Sequence, residues 1–152
     1  MKKITIALGT LILCLLIITS SGSAFSDGIH WQPYDKGLAM AKAQNKNIFL
    51  YFHSDWCHYC KKMKRSTFKN LDLINYLNEN FISIKVDTEK EKKVTASYSV
   101  RGLPTLWFLK NDSTRLSRIP GYVQADRLIN ILKYIKTGSY IKMSFNDFLK
   151  TI

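Results

Sequence analysis

The 152-residue sequence predicts an α/β protein with a central mixed β-sheet flanked by helices. The apolar run IFLYFH at 48–53 lacks polar alternation, which is typical of a strand buried on both faces of a sheet. Helical segments separate it from an alternating second strand at 81–87. Strands at 105–109 and 116–121 then form an antiparallel hairpin before the last long helix. A βαβ unit followed by a ββα unit predicts a mixed sheet with helices on both faces.

Two helices flank the first strand. PYDKGLAMAKAQNKN (33–47) begins with Pro33, which suits a first helical turn, and places Leu38 and Ala41 on a small apolar face. CKKMKRSTF (60–68) follows the two cysteines directly and is also predicted to be helical. The first strand is therefore preceded by one predicted helix and followed by another.

The remaining helices are shorter, apart from one. LDLINYLNEN (71–80) predicts a short helix, and Thr88 is a candidate N-cap for a polar helix or turn. The clearest helix is ADRLINILKYIKTG (125–138), which carries a one-sided apolar face and ends at a glycine. SFNDFLKTI (144–152) predicts a short helix packed against the domain.

Composition indicates a globular chain, since 46% of residues are hydrophobic and 22% are charged. The formal net charge is +12. A basic balance can indicate nucleic acid or anionic lipid, but the lysines are scattered and no basic run is interleaved with aromatic residues. We therefore expect a solvated basic surface and no nucleic-acid partner.

The N-terminus has the pattern of an export signal. A basic start is followed by an uncharged apolar run at 4–18, and Gly22 and Ala24 fit the small-x-small cleavage rule. We predict a signal peptide at 1–24, cleaved near Ala24; an uncleaved membrane anchor is the alternative. Residues 25–152 then form one domain, which we expect to be a monomer. Its core spans about 29–136, and its C-terminal extension spans 139–152.

The cysteine count excludes a disulfide framework. Cys14 lies in the predicted signal, which leaves Cys57 and Cys60 in the mature chain. Secreted domains stapled by disulfides carry four or more cysteines with long loops between them. A bridge across three positions closes almost no loop, so it removes little unfolded-state entropy. A purely structural bridge is therefore a poor explanation.

The position of the pair favours thiolate chemistry. Cys57 comes at the end of a strand and in the first turn of a helix, where free N–H groups and the helix dipole stabilise a thiolate. Cys60 is one helical turn further on, so it can resolve a mixed disulfide by intramolecular attack. We expect Cys57 to be exposed and nucleophilic, and Cys60 to be buried and resolving.

The neighbouring side chains leave alternatives open. Trp56 and Tyr59 either form an apolar rim that grips an unfolded partner or pack in the core. His58, when protonated, supports the Cys57 thiolate, or it is only a solvated histidine at the helix tip. His53 is expected to be a structural residue at the end of the strand.

A metal site is a weaker alternative. Structural zinc needs four ligands, and only His53 or His58 could join Cys57 and Cys60 locally. Lys61 follows the second cysteine, where covalent haem attachment requires histidine. We predict no metal and no cofactor.

Several motifs together resemble the thioredoxin-like family. FLYFHSDWCHYCKKM resembles its strand, tryptophan and C-x-x-C-K active site. VRGLPTLWFL is similar to its proline loop, with Pro104 in cis after Leu103, and PGY matches the glycine that flanks the site. Over about 29–136 the chain is similar to the secreted branch near the C-terminal domain of the disulfide reductase DsbD.

The resemblance implies a thioredoxin fold and thiol–disulfide exchange through a Cys57–Cys60 redox disulfide. Pro104 lacks an N–H, which leaves the backbone of Leu103 to pair with an extended substrate. The resemblance also implies that Lys61 is an auxiliary residue. The substrate-binding residues are predicted to be Trp56, His58, Tyr59, Leu103, Pro104 and Gly121.

Two departures from the family pattern matter. A buried aspartate on the strand before the thioredoxin site helps to move the resolving proton, and Tyr51 stands at that position here. Proton transfer at Cys60 then relies on water, Lys61 or another group. The dipeptide His58–Tyr59 is neither the Gly-Pro of reducing thioredoxins nor the Pro-His of the oxidant DsbA, so the direction of electron flow stays open.

We therefore predict an exported, periplasmic thiol–disulfide oxidoreductase that acts on protein thiols and disulfides and exchanges electrons with a membrane donor or acceptor. A reductase of selected disulfides is favoured over a general oxidant, on the export signal together with the complete thioredoxin-like site. Because the compartment is oxidising, such a reductant needs electrons from a membrane donor. The alternatives are a disulfide oxidase or isomerase, a Cys/His metal-binding module, and a redox-inert adaptor.

Overall fold

A computed structural model describes residues 28–152. The predicted signal peptide and Cys14 lie outside the described residues. Short 3-10 helices lie at Thr67–Lys69 and Ser139–Ile141. The main elements are α1 (Tyr34–Gln44), β1 (Asn47–His53), α2 (His58–Arg65), α3 (Leu71–Asn80), β2 (Phe81–Asp87), α4 (Lys92–Ser97), β3 (Thr105–Leu109), β4 (Arg115–Pro120), α5 (Ala125–Lys136) and α6 (Phe145–Leu149).

The four strands form one mixed sheet in the order β2-β1-β3-β4. β1 pairs in parallel with β2 and antiparallel with β3, and β3 pairs antiparallel with β4. Every residue of β1 after Asn47 is buried. The predictions of a mixed sheet, a hairpin and a strand buried on both faces are confirmed.

Alternation along β1 builds two apolar clusters, one on each face of the sheet. Phe49 and Tyr51 face the cluster that contains α2, α3 and α5, whereas Leu50 and Phe52 face the cluster on the α1 side. Burying apolar surface on both faces stabilises the sheet. Cys57 and Cys60 belong to the first cluster.

Gly37 allows α1 to approach the sheet closely. Glycine lowers helix propensity, so its place within a helix needs a reason. A Cβ at Gly37 would overlap the side chain of Ile84 on β2, which is fully buried. The helix therefore lies against the strand at a distance that only glycine permits.

Thr88 is not the N-cap of α4, so that prediction is wrong. Its hydroxyl and backbone N–H both donate to the carbonyl of His53, at 3.2 and 2.9 Å. The helix begins three residues later than expected for this cap, after Glu91. Thr88 therefore makes hydrogen bonds to the end of β1 and does not cap the helix.

The C-terminal extension packs on α5, as predicted. Ser144 caps α6 by accepting a hydrogen bond from the backbone N–H of Asp147, and Phe148 is buried. The Tyr134 hydroxyl of α5 donates to the carbonyl of Met143. Between residues 28 and 152, no helix combines the length and apolar character needed to cross a membrane.

Candidate active site

Cys57 is the N-cap of α2, immediately after the turn that follows β1. Its Sγ accepts a hydrogen bond from the backbone N–H of Cys60 at 3.1 Å. The two cysteines form a disulfide, with their Cα atoms 5.2 Å apart. An N–H donor and the N-terminus of a helix both stabilise negative charge, so reduction leaves a favourable place for a thiolate on Cys57.

The predicted difference in cysteine exposure is wrong for this disulfide state. Cys57 and Cys60 are each 4% exposed, and both pack in the apolar cluster that includes Met63. The two sulfurs are bonded to each other, and the Cys57 sulfur also faces the Cys60 amide. Hydrogen bonding, rather than exposure, distinguishes the two cysteines here.

Two aromatic side chains stand out from the surface beside the pair. Trp56 is 69% exposed and Tyr59 is 55% exposed, which excludes the core-packing alternative. The indole N–H of Trp56 donates to Glu89 at 3.4 Å, and the exposed ring of His58 meets that of Tyr59 edge-on. Their role as a substrate-gripping rim stays a prediction, as does support of the thiolate by His58.

A second loop ties the start of β3 to the end of β4. The Leu103–Pro104 peptide bond is cis, and Pro104 is buried. The N–H of Gly121 donates to the Pro104 carbonyl at 2.7 Å. Gly121 has a φ of +91°, in the region that favours glycine. The partly buried Leu103 packs against both apolar clusters.

Tyr51 lies on the face of β1 that packs in the same apolar cluster as Cys60. Its hydroxyl donates to the Cys60 carbonyl at 3.5 Å. Burial raises the pKa of Tyr51 far above its usual value, because the phenolate would lose its hydration. The phenol therefore stays protonated and does not take a proton from the Cys60 thiol.

His53 is the last residue of β1, as predicted. Its ring stacks on that of Tyr51, with centroids 5.4 Å apart and planes 18° apart. Burial lowers the pKa of His53, and the nearby Lys85 ammonium lowers it further. The imidazole is therefore biased towards its neutral form.

The architecture and motif order agree with a known domain family. A family model described as a thioredoxin-like domain matches residues 34–136, well over half of the chain. This chain belongs to the thioredoxin-like family. Membership in the family and the C-x-x-C disulfide support thiol–disulfide oxidoreductase activity for the domain.

Individual relatives match parts of the thioredoxin-like chain. The thiol:disulfide interchange protein DsbD of Photorhabdus laumondii is 26% identical over 111 residues, covering 70% of this chain but 19% of that protein. Thioredoxin 2 of Plasmodium falciparum is 33% identical over 90 residues, 59% of this chain and 55% of that one. The chain thus spans about a fifth of the DsbD length.

Solved structures show the same fold. A thioredoxin from Thermus thermophilus superposes with a TM-score of 0.65 and 25% identity, covering 71% of this chain and 87% of that one. The oxidised C-terminal domain of Neisseria meningitidis DsbD gives a TM-score of 0.57 at 21% identity, covering 65% of this chain and 89% of that domain. At this identity the likeness shows the fold alone.

A cavity of about 450 Å³ opens beside Cys60 in this thioredoxin-like site. Its floor is aromatic, and four lysines, Lys61, Lys64, Lys69 and Lys85, line it. Sequence reasoning identified Lys61 alone among these lysines. Lys85 comes to the site because β1 and β2 pair it with Tyr51, a register that the alternating pattern of β2 could have suggested.

The metal-binding alternative is not supported by any cluster of ligands in the described part of the chain. No three His, Cys, Asp or Glu side chains gather there in a way that could hold a metal ion. Lys61, the predicted auxiliary residue, is exposed on α2 after Cys60. The structure brings together the helix-capping sulfur of Cys57 and its disulfide partner Cys60, and Leu103 packs against the apolar cluster that contains both cysteines.

Proposed function

We propose that the protein is an exported thiol–disulfide oxidoreductase that reduces protein disulfides through Cys57 and Cys60. The observation that carries the exchange activity, in either direction, is the 3.1 Å hydrogen bond from the Cys60 N–H to Cys57 Sγ at the N-cap of α2. This bond favours Cys57 as the attacking thiolate. Cys60, already bonded to it in the disulfide, is in position to resolve.

The reaction transfers two electrons in two exchanges. The Cys57 thiolate attacks one sulfur of a substrate disulfide, forms a mixed disulfide and expels the first substrate thiolate. The Cys60 thiolate then attacks Cys57 Sγ and expels the second substrate thiolate. The substrate leaves reduced, the cysteine pair is oxidised, and a membrane donor restores the dithiol.

The surface around the pair supports an extended protein substrate. The exposed rings of Trp56 and Tyr59 offer apolar contact on one side, with His58 between the cysteines. On the other side we assign Leu103 to backbone pairing, next to the buried Pro104. Gly121 holds that loop through its hydrogen bond to the Pro104 carbonyl.

The redox potential of the cysteine pair determines the direction of electron flow. Similarity to part of a protein named for thiol:disulfide interchange supports exchange with other proteins. The N–H bond to Cys57 Sγ favours the oxidase or isomerase alternative, because stabilising the reduced thiolate makes a pair more oxidising. The equilibrium constant with glutathione decides: a potential near −270 mV supports a reductase, and one near −120 mV supports an oxidase.

Export and a single domain belong to the same proposal. The signal pattern at 1–24 supports cleavage near Ala24, with residues 25–152 as a monomeric periplasmic thioredoxin-like domain. The intact mass of the protein recovered from the periplasm tests this. A mass that includes residues 1–24 would instead support an uncleaved anchor.

Insulin reduction tests the activity itself. Wild type with a dithiol donor is expected to precipitate insulin chains, whereas Cys57→Ser is expected to lose this activity. Wild-type rates in Cys57→Ser would contradict the assignment. A fully folded Cys57→Ser variant that still held its partners would favour the adaptor alternative, and tight zinc uptake by the reduced wild type would favour the metal module.

A further inference from the structure

The resolving step of the proposed exchange requires a proton acceptor. Cys60 must lose its thiol proton before it attacks Cys57 Sγ, because the thiolate is the nucleophile. Tyr51, which lies beneath it, keeps its own proton and cannot serve. The acceptor must therefore be found among the other groups around the cavity beside Cys60.

The cavity has room for water as well as for protein groups. Its volume of about 450 Å³ is many times the roughly 30 Å³ that one water occupies in the liquid. The lysines that line it carry ammonium groups, which donate hydrogen bonds and have no acceptor site. That leaves His53, on the wall, and Asp55, an exposed side chain on the loop after β1.

Stacking holds the His53 imidazole in place on that wall. The His53 ring lies against the Tyr51 ring at 5.4 Å, and the Tyr51 hydroxyl reaches the Cys60 carbonyl at 3.5 Å. The His53 carbonyl is fixed from the other side by the N–H of Thr88. His53 is 9% exposed, so its ring has little freedom to leave the cavity.

Charged groups from three elements face this imidazole. Burial is the largest influence and lowers the pKa of His53, and Lys85 of β2 and Lys64 of α2 act in the same direction. Asp87 at the end of β2 and Asp55 on the loop act in the opposite direction. The net effect leaves the ring neutral near pH 7, with a nitrogen lone pair available.

We propose that His53 accepts the Cys60 proton through water in this cavity during the resolving step, an inference that rests on the proposed function. The Cys60 S–H bond breaks and an N–H bond forms on the imidazole. The Cys60–Cys57 bond forms as the Cys57–substrate bond breaks, and the substrate sulfur leaves with the electron pair. The imidazolium then returns its proton to solvent, and the reverse reaction uses the same route.

Stopped-flow reaction of the reduced protein with Ellman's reagent separates the two steps. The first release of chromogenic thiolate reports attack by Cys57, and the second reports attack by Cys60. In the wild type we expect the second rate to fall as the pH drops, with an inflection below about 6.5, the ordinary histidine pKa, because the pKa of His53 is lowered and an imidazolium accepts no proton. The first rate should lack this dependence on His53.

Two variants remove the base in different ways. His53→Gln keeps a polar side chain, and His53→Phe keeps a ring on Tyr51. Both are expected to slow the second phase about 100-fold at pH 7 and to lose its inflection, as for loss of general base catalysis. The first phase should stay within about twofold of wild type, on the scale of a small surface perturbation.

Matched controls separate the base from general effects. His30→Gln makes the same chemical change at an exposed position outside the cavity, and Asp55→Asn removes the other acceptor. Both should keep the wild-type second phase. A fast second phase in His53→Phe, or its loss in Asp55→Asn, would overturn the inference.

The wild-type profile provides a test that needs no variant. A second phase without an inflection in the histidine range overturns the role of His53 even if both variants fail to fold. These failures differ from failure of the proposed function. A reduced wild type that shows no first phase contradicts the exchange reaction itself, whereas a normal first phase with a His53-independent second phase contradicts this inference alone.

Discussion

Replacing Gly121 by alanine tests whether its backbone conformation supports the proline loop. Gly121 has a φ of +91°, and its N–H donates to the Pro104 carbonyl at 2.7 Å. A Cβ built there meets nothing within 4 Å, so no steric clash confuses the result. The cost of the substitution therefore comes from the backbone.

The expected loss of stability is about 1–2 kcal/mol, the usual cost of a left-handed backbone for a residue with a Cβ. If the chain relaxes to a negative φ instead, it gives up the hydrogen bond to Pro104, which costs about 0.5–1.5 kcal/mol. Urea unfolding with an unchanged m-value measures the loss directly. Gly121→Asn should lose less, because asparagine tolerates this region better.

Gly102→Ala is the matched control on the other side of Pro104. A Cβ at Gly102 also meets nothing within 4 Å, and the backbone there has no left-handed φ. This variant should be as stable as wild type or gain about 0.4–1 kcal/mol from a less flexible unfolded chain. Equal stabilities of Gly121→Ala and Gly102→Ala would refute the reasoning.

Three further outcomes are expected. Thr67→Val removes the 2.7 Å donor to the Val123 carbonyl and should cost about 1–3 kcal/mol in urea unfolding; no loss would mean that the carbonyl finds another donor. Phe49→Ala empties a fully buried position and should cost about 3–5 kcal/mol by the same measurement, so a loss under 1 kcal/mol would argue against this core. Because the pKa of His53 is lowered in the folded state, the folded state binds fewer protons than the unfolded state. The stability from this group is present above the unfolded histidine pKa of about 6.5 and is lost as the pH falls below it, so wild type should lose more stability between pH 7 and 5 than His53→Gln, and parallel curves would contradict this.

The strongest hydrophobic patterns predicted the main elements. β1 was predictable because an unbroken apolar run suits a strand covered on both faces, and its burial confirms this. α5 was predictable because Leu128, Ile131, Leu132 and Ile135 recur at helical spacing, and all four are buried. In both cases the local pattern and the tertiary packing agree.

Features set by distant contacts were not predictable in the same way. Thr88 has the chemistry of an N-cap, but its hydroxyl bonds to the end of β1 instead. The cavity beside Cys60 depends on the pairing of Tyr51 with Lys85, which a strand pattern alone does not fix. The equal burial of the two cysteines reflects their disulfide and the surrounding apolar cluster, rather than their spacing.

Trapping with Cys60→Ala tests the central claim most directly. The reduced variant should form a stable mixed disulfide with a protein substrate, and peptide mass spectrometry should place that bond on Cys57. Cys57→Ala should form little stable adduct under the same conditions, because the thiolate-stabilising position at the N-cap of α2 is then empty of sulfur. Equal adduct formation by the two variants, or adducts that resolve without Cys60, would contradict the account.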